Sequence, residues 1–181
     1  MTFDEGHATV LERREVWRGR IFSVDADLVR LPNGHQSRME VVRHRGSVVL
    51  LPMPDPAHVI LVRQYRYAID RWIWELPAGS LEEGEAPELG ASRECEEEVG
   101  LVPSRAEVIG TFYPTPGFCD EVMTFYRLTG LRAPAPGSTA SRDADEDLRV
   151  ATFDLDTVRA MIRSSEIVDG KTVLGLSLLE A

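Results

Sequence analysis

The alternation of apolar and polar positions divides most of the chain into short strands, with helical spacing in only three places. Ile21 to Leu31 and Ser37 to Val42 alternate on either side of Leu-Pro-Asn-Gly, and Asn33-Gly34 between such segments is a hairpin signature. Ser47 to Pro52 and His58 to Tyr65 read as buried strands, separated by the Pro-Asp-Pro turn at residues 54 to 56. A further short strand ends at Leu76-Pro77-Ala78-Gly79. Helical composition then runs from Pro87 to Val99, with Pro87 suited to a first turn and Gly100 to a stop. Glu107 to Tyr113, Val122 to Leu131 and Leu148 to Phe153 are strand-like again. Leu155 to Ser164 and Thr172 to Leu179 return to helical spacing, the second started by Asp169. Strands on both sides of one helix, with further helices late, predict an α/β sandwich with mixed strands.

Composition and charge narrow the picture. With 181 residues, 43% of them hydrophobic, the chain can bury a full core as one main domain. No internal repeat is visible, and Ala133 to Asp147, rich in Pro, Gly and small polar residues, reads as a mobile loop. Twenty Lys and Arg against 30 Asp and Glu give a net charge of -10, which nucleic acid and anionic lipid repel unless a basic patch intervenes. The densest basic stretch, Arg38 to Arg45, alternates with apolar residues as a strand does, so no such patch is expected and no nucleic-acid partner. The N-terminus lacks a basic start followed by an apolar core, and no apolar run has membrane-spanning length, so a cytoplasmic protein is expected. Cys95 and Cys119 form no CxxC pair and read as reduced and structural.

The candidate chemistry lies in residues 79 to 101, GSLEEGEAPELGASRECEEEVGL. Helical geometry projects Glu94, Glu97 and Glu98 together and points Glu96 elsewhere. Such a face is either solvated or a hard, oxygen-only site suited to Mg²⁺ or Mn²⁺, ions that share their shell with substrate phosphates. Arg93 is positioned to pair with Glu85 and hold the preceding loop. The spacing also resembles the Nudix box, G-x5-E-x7-R-E-U-x-E-E-x-G-U with U apolar, filled by Gly79, Glu85, Arg93, Glu94, Cys95, Glu97, Glu98, Gly100 and Leu101. A buried Cys serves as a small hydrophobe in its apolar slot. The resemblance implies a Nudix hydrolase: an α/β/α sandwich with mixed sheets at residues 46 to 181, and an N-terminal antiparallel β-hairpin subdomain at residues 1 to 45. It also implies Glu94, Glu97, Glu98 and the carbonyl of Ala78 as ligands of two or more Mg²⁺ or Mn²⁺ ions.

VRQYRYAID, WELPAG, YPTPGFCDE and DADEDLRV are similar to segments of the ADP-ribose pyrophosphatase branch of that family. This implies metal-dependent hydrolysis of ADP-ribose to AMP and ribose 5-phosphate. Glu97 and Glu98 would act with Glu146 as the hydrolytic base. Phe22, Met39, Arg66, Glu75, Pro116, Gly117 and Glu121 would contact substrate, Pro116 holding the place of a proline that marks ADP-sugar hydrolases. Arg66 is suited either to gripping a diphosphate or to an ion pair with Glu75. Met39 stands where an aromatic residue would stack on adenine, which keeps GDP-mannose or another nucleoside diphosphate sugar open as substrate. A non-catalytic ADP-ribose sensor is the reading from another class. Because isolated hairpins are marginal in water, the first 45 residues predict a partner, by resemblance a homodimer with exchanged N-terminal strands.

Overall fold

The computed structural model describes residues 6–138 and 147–179. They fall into two compact units, Met1–Gly46 with Tyr113–Val122, and Ser47–Phe112 with Met123–Ala181.

The smaller unit is built on β3 (Phe22–Arg30). Along one edge run β1 (Thr9–Glu12) and β2 (Glu15–Arg18), both antiparallel to β3, so residues 9 to 18 make one interrupted edge strand. Between them the Arg14 carbonyl accepts from the Ala26 N–H at 2.8 Å. On the other edge β4 (Gln36–His44) pairs antiparallel from Phe22↔His44 to Arg30↔Gln36. The turn is closed by the Leu31 N–H on the His35 carbonyl, with Gly34 at φ 83°. The hairpin is the expected one, with Leu31 and His35 closing a three-residue loop, Pro32-Asn33-Gly34, instead of a two-residue one. The Tyr113–Val122 loop lies along β4, where Val42 donates to Phe118 and Asp120 to Val42.

The larger unit comprises β5 (Ser47–Pro52), β6 (His58–Arg66), β7 (Arg71–Glu75), β8 (Ala78–Ser80), α1 (Pro87–Glu94), β9 (Arg105–Phe112), β10 (Met123–Thr129), β11 (Leu148–Asp154), α2 (Leu155–Arg163) and α3 (Gly170–Ser177). One mixed sheet has the order β8-β5-β10-β9, with β5 and β10 parallel, and an antiparallel sheet has the order β11-β6-β7. Every residue of β5 is buried, and its alternate side chains feed two cores. Val49 and Leu51 pack with Leu61, Phe125, Val158, Met161 and Leu176 beneath α2 and α3. Val48 and Leu50 pack with Ile60, Ala91, Cys95 and Leu128 beneath α1. Helices on both faces of the strands make the expected α/β/α sandwich.

Two local features differ from the sequence expectation. The strand expected to end at Gly79 is two, because Leu76-Pro77 leaves the ladder: Leu76 donates instead to Thr172 Oγ1 at 2.7 Å, and Pro77 has no N–H to give. The helix expected over Pro87 to Val99 is α-helical only to Glu94 and continues as a π-helical turn, Cys95–Val99, stopped by Gly100 at φ 76°. α3 begins at Asp169 as expected, and both late helices have acidic caps, Asp154 and Asp169 accepting from the N–H groups of Thr157 and Thr172. No helix among the described residues is long and apolar enough to cross a membrane.

Candidate active site

The loop Gly79 to Glu85 and the acidic helix are tied by one guanidinium. Arg93 donates from Nε to Glu85 Oε1 at 2.8 Å and from Nη2 to Glu85 Oε2 at 2.9 Å. Its Nη1 bridges Glu94 Oε1 and Glu97 Oε2, both at 2.8 Å, and Nη2 reaches the Ser80 carbonyl at 3.3 Å. The Arg93–Glu85 pairing expected from the sequence is therefore present. Its hydrogen bonds hold the Glu85 carboxyl below the usual carboxylate range, against burial, which acts the other way.

Glu94 and Glu98 are 8% and 3% exposed, which removes the solvated-face reading for these two. Carboxylates are rarely buried unless something compensates their charge. Glu98 Oε2 accepts the Ala78 N–H at 3.2 Å. Glu94 packs over Gly79 so closely that a Cβ there would lie 1.9 Å from its carboxyl carbon, so any side chain at residue 79 would push the Glu94 carboxylate out of this position. The donor set is all oxygen, anionic and largely desolvated, which fits a hard divalent cation. As the side chains stand, no three His, Cys, Asp or Glu groups among the described residues are gathered to hold an ion. Arg93 lies between Glu94 and Glu97 and supplies positive charge there.

Arg66 and Glu75 form a two-pronged ion pair, Nε to Oε1 and Nη2 to Oε2, each 2.8 Å. Burial works against the Arg66 charge, but the Glu75 carboxylate outweighs it and, with Glu98 contributing, raises the guanidinium's pKa. The pairing alternative raised by the sequence is thus realised, and it uses only one edge of the guanidinium. Glu75, 1% exposed, also receives Lys171 Nζ, which donates to Asp169 Oδ2 at 3.0 Å. Sequence reasoning passed over Lys171; its signal was compositional, since it is the only lysine in a chain whose other cationic side chains are arginine.

In the smaller unit, Met39, Val41, Tyr113, Pro116, Gly117 and Phe118 line a mainly apolar cavity of about 380 Å³. Glu121 lies 3.8 Å from His44 Nδ1. Phe22 is half-exposed, its ring 5.1 Å from that of Trp17. Phe22 pairs with His44 while Met39 pairs with Asp27, five residues along β3, so the two candidate base contacts sit on opposite faces of that sheet. Arg13, Arg18, Arg20, Arg43 and Arg45 surround a cavity of about 380 Å³ beside Phe22. These residues are distant in sequence and meet only because β2 and β4 flank β3. Much of the charge is compensated, Arg18 by Glu15 and Arg43 by Asp25, Asp27 and Asp120. Glu146 lies outside the described residues.

A buried acidic helix turn packed beneath a mixed sheet, with one arginine tying its loop and another beside it, defines an α/β protein with a buried, charge-rich site. The chain belongs to the Nudix hydrolase family: the NUDIX domain model matches residues 43–170. It is 35% identical over 170 residues to the methanol dehydrogenase activator of Bacillus methanolicus, covering 94% of this chain and 91% of that one. It is 34% identical over 170 residues to the ADP-ribose pyrophosphatase of Bacillus subtilis (strain 168), with the same coverage. A crystal structure of an ADP compounds hydrolase superposes with a TM-score of 0.82 at 21% identity, over 99% of this chain and 95% of the other, and shares the fold.

Proposed function

We propose that this Nudix hydrolase cleaves the diphosphate bond of ADP-ribose, giving AMP and ribose 5-phosphate. The observation that carries the reading is the pair of buried carboxylates, Glu94 against Gly79 and Glu98 against the Ala78 N–H, inside an intact box. The similarity to an ADP-ribose pyrophosphatase over 94% of the chain supports the substrate. Glu94, Glu97, Glu98 and the Ala78 carbonyl hold Mg²⁺ or Mn²⁺, two or more ions per site. When bound, such cations neutralise the diphosphate and make water a better nucleophile at neutral pH. Arg66 holds diphosphate oxygens, with Glu75 orienting it. Met39, Pro116, Gly117 and Glu121 contact the nucleoside and sugar from one protomer and the partner's Phe22 from the other, because the two base contacts lie on opposite faces of one sheet, and Glu146 takes the proton of the attacking water.

The protein works in the cytoplasm as a homodimer with exchanged N-terminal strands. Val10, Leu11, Val16, Trp17, Ile21 and Phe22, all substantially exposed in the first strands, support an apolar contact of this kind. Met39, where stacking calls for an aromatic ring, favours a second reading within the same chemistry, with GDP-mannose or another nucleoside diphosphate sugar as substrate. The similarity to a protein named as an enzyme activator supports a regulatory role as a third reading, in which the chain would be a sensor that binds ADP-ribose and acts on a partner.

Glu98→Gln separates enzyme from sensor. The enzyme reading expects ADP-ribose turnover to fall at least about a hundredfold, because a buried anionic ligand becomes neutral. Unchanged turnover in that variant would refute the role of Glu98, and a wild-type protein that binds ADP-ribose with Mg²⁺ but releases no AMP would support the sensor.

A further inference from the structure

Arg66, Glu75, Lys171 and Asp169 form a charge-balanced chain of four groups running from β6 through β7 to the first turn of α3. Its centre is dry: Glu75 is 1% exposed and the Lys171 side chain 9%, whereas Arg66 at the outer end is 42% exposed. A carboxylate so buried is held by whatever cations meet it, and removing one partner leaves it free to seek another geometry. We infer that Lys171 is a positioning residue for substrate: by pinning Glu75 it fixes the plane and direction of the Arg66 guanidinium. The inference rests on the proposal that Arg66 holds the diphosphate.

The geometry separates the two edges of that guanidinium. It carries five N–H groups in a planar fork. Nε and Nη2 each give one to Glu75, which uses the side edge. The end edge, one hydrogen each of Nη1 and Nη2, makes no hydrogen bond among the described residues and is the edge left for a bidentate contact with anionic oxygens.

Glu75 alone would not fix this arrangement, because Arg66 could swing about its own long side chain while keeping one contact. Lys171 removes that freedom by holding Glu75 Oε2, the same carboxylate oxygen that receives Arg66 Nη2. It is itself anchored by Asp169, which also accepts from Thr172 N and Thr172 Oγ1. Thr172 Oγ1 in turn receives the Leu76 N–H, next to Glu75. The first turn of α3 thereby locks the end of β7 twice, once by charge and once through the backbone. The compact Lys171 ammonium donates to Glu75 and Asp169 at once and so ties the two carboxylates together.

The test is a double-mutant cycle on the full chain, with ADP-ribose and Mg²⁺ as substrate and kcat and KM measured separately. Lys171→Met is expected to raise KM about tenfold while kcat stays within about threefold, the pattern of lost ground-state binding. Arg66→Ala is expected to raise KM by more. In the Arg66→Ala background, Lys171→Met should change KM by less than about twofold, because its effect passes through the arginine. Full additivity, or an unchanged KM in Lys171→Met beside a raised one in Arg66→Ala, would assign Lys171 to folding alone and overturn the inference. An unchanged KM in Arg66→Ala would remove the proposed role of Arg66 and the inference with it. Lys171→Gln, neutral but still able to donate, gives the same comparison if Lys171→Met does not accumulate as folded protein.

Discussion

At the scale of single residues, the site is organised by arginines that share carboxylates. Arg93 touches Glu85, Glu94 and Glu97 at once, so its loss would leave three partly buried anions facing one another. Arg93→Ala is expected to cost about 1–3 kcal/mol by the usual penalty for unpaired buried groups, seen as a lower midpoint in urea unfolding; an unchanged midpoint would contradict the tie. Cys95, fully buried in the box, has its thiol pushed up to about 12 by burial, with Glu98 and Glu96 adding to the effect. A thiol reagent at pH 8 should therefore modify Cys119 in the folded protein and both cysteines only after denaturation. Rapid labelling of Cys95 in the folded state would mean that the helix opens readily. Several of these contacts were legible beforehand: box spacing places Arg93 near Glu85, and the pairing of Arg66 with Glu75 stood as an alternative to ligand binding. Lys171 was not legible, because nothing local to Gly170-Lys171-Thr172 says that Glu75, 96 residues earlier in the chain, ends beside it.

At the scale of elements, the fold was legible wherever one periodicity dominated. β5 and β6 announced themselves as apolar runs, and Asp169 marked where α3 begins. The π-helical turn over Cys95–Val99 was not, since Cys-Glu-Glu-Glu-Val carries no residue that distinguishes a widened turn from an ordinary one. The division of β7 from β8 followed from a tertiary event, capture of the Leu76 N–H by Thr172. The loop before α1 depends on one titratable contact. Because the folded Glu85 pKa lies below its unfolded value, this contact stabilises the fold at neutral pH and loses its effect as pH falls through the depressed value. Below about pH 4.5, near the unperturbed value for glutamate, the melting temperature of the natural protein should fall more steeply than that of Glu85→Gln. Parallel pH profiles would show that the pair contributes nothing to stability.

At the scale of the whole molecule, the sequence identified the sandwich and its acidic helix, but it hid the arginine-lined cavity beside Phe22, whose residues come from β2, β3 and β4 and the turn before β3. Charge counted along the chain cannot reveal a patch assembled across strands. The substantially exposed Val10, Leu11, Val16 and Trp17 lead us to expect a dimer mass in light scattering at micromolar concentration, and a monomer would remove the strand-exchange proposal. The central claim, hydrolysis of ADP-ribose, is tested most directly by a substrate panel. ADP-ribose, GDP-mannose, CDP-choline, NADH and deoxynucleoside triphosphates would each be incubated with the protein and Mg²⁺ or Mn²⁺, and phosphate measured after coupling to a phosphatase. The account predicts a clear preference for ADP-ribose, with AMP and ribose 5-phosphate as products and no turnover when the cations are chelated. Turnover led by another compound, or none at all with either cation, would contradict it.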